Sequence, residues 1–242
     1  MTGWAASLGT SRVAAEPSWE RLLEGSPVPI QFQGVEPWQP PEDRGGTGML
    51  VLTNMGPIQC LFHSSPEATQ AVLWVSGALG GFSGGGGLYS ILSDELLEDN
   101  VSSLRLNYRK PNNILHSMLD VLAGVYFLQA QGCRRVALVG HSFGGAVVIA
   151  AAPLSDAVVT VVGLASQTLG TRYADLVSPR PLLLVHGEDD DRLSPRCSLI
   201  INEIAKEPKR LILYPGAGHN LRECRDELHP VVKTWLLEKL EG

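Results

Sequence analysis

From Ala71 onward, short apolar runs alternate with longer amphipathic stretches. The runs are AVLWVSG, VSSLRLNYR, RRVALVG, DAVVTVVGLAS, PLLLVHG and KRLILYPGAG. Between and after them come GLYSILSDELLEDN, NILHSMLDVLAGVYFLQAQG, FGGAVVIAAAP, SLIINEIAKE and a closing segment from about Arg222 to Leu240. A strand that is apolar on both faces needs cover on both, and helices in a β-α-β-α succession supply it. The pattern therefore predicts an α/β fold built on a mostly parallel, doubly wound sheet of about eight strands. Ligands of such sheets bind beyond the carboxyl ends of the strands, so the residues just after each run carry the chemistry.

Upstream, GMLVLTNMGPIQCLFHSS alternates apolar and polar residues on either side of Asn54 to Pro57, as a hairpin does, and VPIQFQG is a candidate edge strand. Residues 1–45 carry Trp4, Trp19, Trp38 and the Pro-rich VEPWQPPEDRGGTG, and are read as a partly irregular N-terminal arm. Residues 46–242 are read as the main domain.

The 242 residues, 44% of them hydrophobic, suffice for a sizeable core. A net charge of -6, from 19 basic and 25 acidic residues with no long basic stretch, argues against nucleic acid or an anionic membrane as partner. No apolar stretch approaches the roughly 20 residues that span a bilayer. The N-terminus has neither an early basic cluster nor a sustained apolar segment, so a cytoplasmic protein is expected, as monomer or homodimer, with a small molecule as its partner. Cys60, Cys133, Cys197 and Cys224 are widely separated, with no paired C-x-x-C and no His at zinc-ligand spacing, so neither metal nor cofactor is expected.

Gly140-His141-Ser142-Phe143-Gly144 stands where an apolar strand run meets a small-residue helix. By itself G-x-S-x-G is a weak signal. A sharp strand-to-helix turn there would expose the Ser142 hydroxyl, and glycines two residues either side would keep that turn free of side chains. A serine hydroxyl is a poor nucleophile at neutral pH; it needs a base within hydrogen-bond reach and a carboxylate to orient that base. PLLLVHGEDDDRLSP places Glu188 to Asp191 just after one strand, and RLILYPGAGHNLRE places His219 in a Gly-rich loop after the next. Among the six histidines only His219 combines a post-strand Gly loop with a position downstream of the acids. His141 and His186 read as structural, hydrogen-bonded within the turns that present the three.

With GHSFGG at the turn, VHGEDDDRLSP at the acid, YPGAGH at the histidine and VSGALGG after an earlier strand, the chain resembles an α/β-hydrolase. Its nearest likeness is to the small, lidless dienelactone-hydrolase-like and esterase-like members, from roughly Gly48 to the C-terminus. The resemblance implies a Ser142–His219–Asp190 triad, the family's H-G-x-x-D pattern selecting Asp190 over Asp189 and Asp191. Oxyanion donors are the Phe143 amide, by its place at the helix start, and by the resemblance Ala78, with Leu79 next. One departure stands out: Ser76 occupies the position of the His that usually precedes that Gly. True dienelactone hydrolases carry Cys as nucleophile, so Ser142 speaks against carrying over that particular activity.

QTLGTRYADLVSPR, Gln167 to Arg180, is too short for a cap domain, which implies an open site. Leu79, Phe82, Tyr108 and Leu169 are the residues expected to touch substrate, with Thr168, Leu193 and Asn220 at the border. Arg109 and Lys110 are either solvated loop cations or contacts for an anionic substrate. The implied activity is hydrolysis of carboxylic esters with short or exposed acyl groups, lactones and thioesters included, through an acyl-enzyme. An acyltransferase using the same triad and a non-catalytic ligand-binding protein on the same scaffold are the alternatives.

Overall fold

The alternating runs form one sheet. The computed structural model of this chain describes residues 28–40, 42 and 44–242, with 21, 22 and 24 ahead of them. Its strands are β1 (Phe32–Pro37), β2 (Thr47–Thr53), β3 (Ile58–His63), β4 (Gln70–Val75), β5 (Val101–Asn107), β6 (Arg135–His141), β7 (Val158–Leu164), β8 (Leu182–Gly187) and β9 (Lys209–Tyr214). The helices are α1 (Leu88–Glu95), α2 (Ile114–Ala130), α3 (Phe143–Ala151), α4 (Arg196–Ile204) and α5 (Arg225–Glu241). The spatial order is β1-β2-β3-β5-β4-β6-β7-β8-β9. β1, β2 and β3 pair antiparallel along one side, and all pairs from β5 to β9 are parallel.

Successive side chains of a strand point to opposite faces, so each central strand feeds two cores. Leu73, Val75, Leu138 and Leu184 enter the core under α2 and α3, whereas Val72, Trp74, Val139 and Val185 meet α1 and α5. Burying each such side chain stabilises the fold by about 1.5–3 kcal/mol. Every residue of α3 is buried, which accounts for its run of small and apolar residues. α2 opens on Asn113, whose side chain accepts the His116 amide at 3.0 Å.

The expected hairpin is present: β2 and β3 pair antiparallel, and Thr53 Oγ1 donates to the Gly56 carbonyl at 2.7 Å across their turn. Among the described residues the sheet has nine strands, and β1, within the stretch that includes the candidate edge strand, pairs antiparallel with the edge of β2. β1 lies inside the stretch read as the arm, while Trp4 and Trp19 fall outside the described residues. Trp38 packs on Phe82, ring centroids 6.0 Å apart. Between β7 and β8 the chain makes only a short 3-10 turn, Ala174–Val177, so no cap domain stands over the sheet. Among the described residues no helix is long and apolar enough to cross a membrane.

β5 and β6 lie on opposite sides of β4, so the chain changes direction there, and crevices in doubly wound sheets open at such points. The segment after β4 and the segment after β6 thus meet. Replacing the fully buried Leu138 by Ala, in mid-β6, should lower the unfolding free energy by about 2–5 kcal/mol. Urea denaturation with an unchanged m value would register it.

Candidate active site

At the end of β6 the backbone reverses into α3 within a few residues. Ser142 takes φ 59 and ψ -118, a conformation that a non-glycine residue holds only when its surroundings over-determine it. Those surroundings are tight. A Cβ at Gly140 would lie 2.1 Å from the Gly144 carbonyl oxygen, and one at Gly144 would lie 2.4 Å from that of Ser76. Ser142 is pinned further by its amide donating to the Leu164 carbonyl at 2.8 Å, and its carbonyl accepts the Gly145 amide at 3.1 Å.

The acid loop follows β8. Of its three aspartates, Asp189 and Asp191 are exposed, while the Asp190 side chain is buried. Its Oδ1 accepts the amides of Arg192 (2.9 Å) and Leu193 (2.8 Å), and its Oδ2 accepts His219 Nδ1–H at 2.7 Å. Burial pushes the carboxyl pKa up, but the Leu193 amide, the His219 ring and the Arg192 amide outweigh it and hold it below the usual range.

His219 sits in the loop after β9. Its carbonyl accepts His141 Nε2–H at 2.8 Å, and the two rings lie 4.9 Å apart. Burial lowers the His141 pKa to about 4, so that ring serves as a neutral donor. Ser142 and His219 open on one cleft of about 340 Å³. Its walls include Ala78, Leu79, Gln167, Arg192, Leu193 and Asn220.

The Phe143 amide, at the first position of α3, has no partner within the helix. A Cβ at Gly77 would lie 3.8 Å from Ser142 Oγ, which puts the Gly77–Ala78 segment beside the hydroxyl. The start of α3 and the Gly77–Ala78 segment thus both border Ser142 and line the same cleft. The departure at Ser76 has a structural counterpart: its hydroxyl is buried and unpartnered, and other groups hold the loop. Tyr108 Oη donates to the Ser76 carbonyl at 3.2 Å, and Asn107 Oδ1 accepts the Gly81 amide at 2.7 Å.

Of the four expected substrate contacts, Leu79 lines the cleft and three do not. Tyr108 is buried behind the cleft, edge-on to Phe143 at 5.7 Å, and Phe82 is buried against Trp38 with its carbonyl taken by Arg105 Nε at 3.0 Å. Leu169 is exposed but away from the cleft lining; Leu79, Leu193 and Asn220 are on it. Arg109 is neither solvated nor free: its Nε donates to the buried Asp120 at 2.5 Å and its Nη1 to the Met55 carbonyl at 2.6 Å. Gln167 and Arg192 line the cleft without having been singled out from the sequence; both stand in segments directly after a strand, which was the available signal. Among the described residues no group of three or more His, Cys, Asp or Glu could hold a metal ion, and the four cysteines are free thiols.

A family model described as the dienelactone hydrolase family matches residues 101–233, more than half of the chain. Uncharacterized protein YfhR of Escherichia coli O157:H7 is 33% identical over 109 residues, 36% of this chain and 38% of that protein. The chain thus spans less than two fifths of the length of this curated relative. Among solved structures, Est1E from Butyrivibrio proteoclasticus superposes with a TM-score of 0.69 at 16% identity, covering 81% of this chain and 99% of that one. A dienelactone hydrolase from Anabaena variabilis gives 0.66 at 18% identity, covering 77% and 94%. At these identities the likeness is one of fold, the α/β-hydrolase architecture.

Gly140→Ala should destabilise the protein by about 2–4 kcal/mol, because backbone at the turn has to move; thermal unfolding measures it. Since Asp190 has a folded pKa below its unfolded 3.8, its ionised form adds stability above that pH, lost as pH falls through the folded value. The stability gap between wild type and Asp190→Asn should accordingly close in that acid window, as read by denaturation at a series of pH values.

Proposed function

Because the chain belongs to the dienelactone hydrolase family, we propose that it is a serine hydrolase that cleaves carboxylic esters through an acyl-enzyme. The observation that carries this reading is the 2.7 Å contact between His219 Nδ1 and the buried Asp190 carboxylate, with the far side of the ring open to the cleft that holds Ser142.

In the proposed cycle Ser142 Oγ attacks the ester carbonyl carbon and His219 Nε2 takes the hydroxyl proton. Asp190 holds the imidazole in the Nδ1–H tautomer and stabilises the imidazolium as it forms. The oxyanion is bound by the amides of Phe143 and Ala78; losing one such donor costs about 2.7–4 kcal/mol of transition-state stabilisation. His219 then gives its proton to the leaving alkoxide. Water, deprotonated in turn by His219, attacks the acyl-enzyme carbonyl; as the bond to Ser142 Oγ breaks, His219 returns the proton to that oxygen and the acid leaves. No step calls for a metal or an organic cofactor. An uncapped cleft of about 340 Å³ suits short or exposed acyl groups, with Leu79 and Leu193 as apolar contacts.

A fluorophosphonate probe should label the wild type at Ser142, and short p-nitrophenyl esters should be hydrolysed. Ser142→Ala should abolish labelling and lower kcat by at least about 10⁴-fold with an unchanged circular dichroism spectrum. Full activity in that variant would mean another nucleophile. His219 acts as base only when neutral, so kcat/KM should fall on the acid side of its titration.

A further inference from the structure

The Asp190 carboxylate has a fourth donor that the proposed mechanism leaves unused. His186, the penultimate residue of strand β8 before the acid loop, is fully buried, and its ring meets three polar groups. Nε2 lies 2.9 Å from the Leu193 carbonyl oxygen and 3.1 Å from Asp190 Oδ2. Both partners are acceptors only, so Nε2 carries the hydrogen. Nδ1 lies 2.7 Å from the hydroxyl of Ser198, itself fully buried in α4. Burial lowers the pKa of the ring, which keeps it neutral; Nδ1 is then a bare lone pair that accepts the Ser198 O–H. Ser198 thus fixes both the orientation of the ring and which nitrogen is protonated.

We infer that His186 is a positioning residue: it holds the Asp190 oxygen that faces His219, with Ser198 locking it in the donor tautomer. This rests on the reading of Asp190 and His219 as acid and base, and deepens it. Oδ1 is pinned by two amides and Oδ2 by two imidazoles, so the carboxylate cannot rotate away from His219. His186 also ties down Leu193, which supplies one of those amides through its nitrogen and accepts from His186 through its carbonyl. The electrostatic consequence has a definite sign. A donor sharing Oδ2 draws charge away from His219, so its removal concentrates charge there, stabilises the imidazolium and makes His219 more basic.

The other groups near this pair are constant between variants. His141 faces His219 from the end of β6, Glu223 reaches its loop through the Gly218 amide at 3.1 Å, and Arg192 lines the same cleft. Cys197 of α4 is close enough to feel the Asp190 charge.

The test uses the full chain and two readouts that need no substrate, so it remains decisive even if ester hydrolysis is absent. Long-range ¹⁵N–¹H NMR of the wild type should show His186 neutral and protonated at Nε2 at about pH 7; an Nδ1–H tautomer or an imidazolium there overturns the assignment. In His186→Leu the NMR titration of His219 should move up by about one pH unit. The acid limb of kcat/KM should follow, with kcat down about tenfold and KM within about twofold. His186→Gln, whose amide N–H reaches the same oxygen, should bring the titration back to within about 0.3 unit of wild type. Ser198→Ala should move it in the same direction as Leu by a smaller step, and decides the matter if the Leu variant does not fold. A folded Leu variant, or failing that Ser198→Ala, in which His219 titrates as in wild type would reduce His186 to packing and overturn the proposal.

Discussion

The central strands of the sheet are buried on both faces, and this burial governs where chemistry can occur. A polar side chain in the middle of β6 or β8 would be stranded between two apolar cores, at a penalty of several kcal/mol without a partner. Polar groups therefore emerge at the carboxyl ends. Ser142 follows β6, Asp190 follows β8 and His219 follows β9, and the intervening β7 backs the turn through the bond from the Ser142 amide to the Leu164 carbonyl. The same burial makes the turn at Ser142 rigid: Gly140 and Gly144 have backbone oxygens where a side chain would stand.

Around the site, burial also sorts the histidines. Asp190 is the one buried carboxylate there, and two imidazoles donate to it, with a third bound to the backbone of His219. His141 and His186 are held neutral by desolvation, and each spends its Nε2–H on a carbonyl. In the proposed cycle this leaves His219, which lines the cleft with Ser142, to carry a proton between serine and leaving group. A set of fixed neutral donors around one carboxylate stabilises its charge without adding a competing base.

The loop after β4 shows how a missing side chain is offset by neighbours. Where the resemblance leads one to look for a histidine, Ser76 leaves a buried hydroxyl unpartnered. The backbone course is kept instead by Tyr108 on the Ser76 carbonyl, Tyr89 on the Val75 carbonyl at 2.9 Å, and Asn107 on the Gly81 amide. All three reach in from elsewhere in the chain. Tyr108 thus shapes the site from behind rather than touching what binds in it.

What the sequence determined alone was everything set by short-range rules. Strand and helix periods, the hairpin around Asn54 to Pro57, and the glycines bracketing Ser142 all follow from local sterics and the need to bury apolar faces. The α/β class, the succession of elements and the positions of Ser142 and His219 beyond strand ends were legible for that reason. β1 was legible as an edge strand, but its pairing and register with β2 are encoded by no local pattern. Tertiary structure turns Asp190, the one of three adjacent aspartates that the H-G-x-x-D likeness selects, inward to His219, in a loop closed by the Arg192 and Leu193 amides. It also decided that Tyr108 and Phe82 point into the core and that Arg109 is consumed by Asp120. Side-chain direction at a loop is fixed by partners distant in sequence, and a linear pattern carries no record of them.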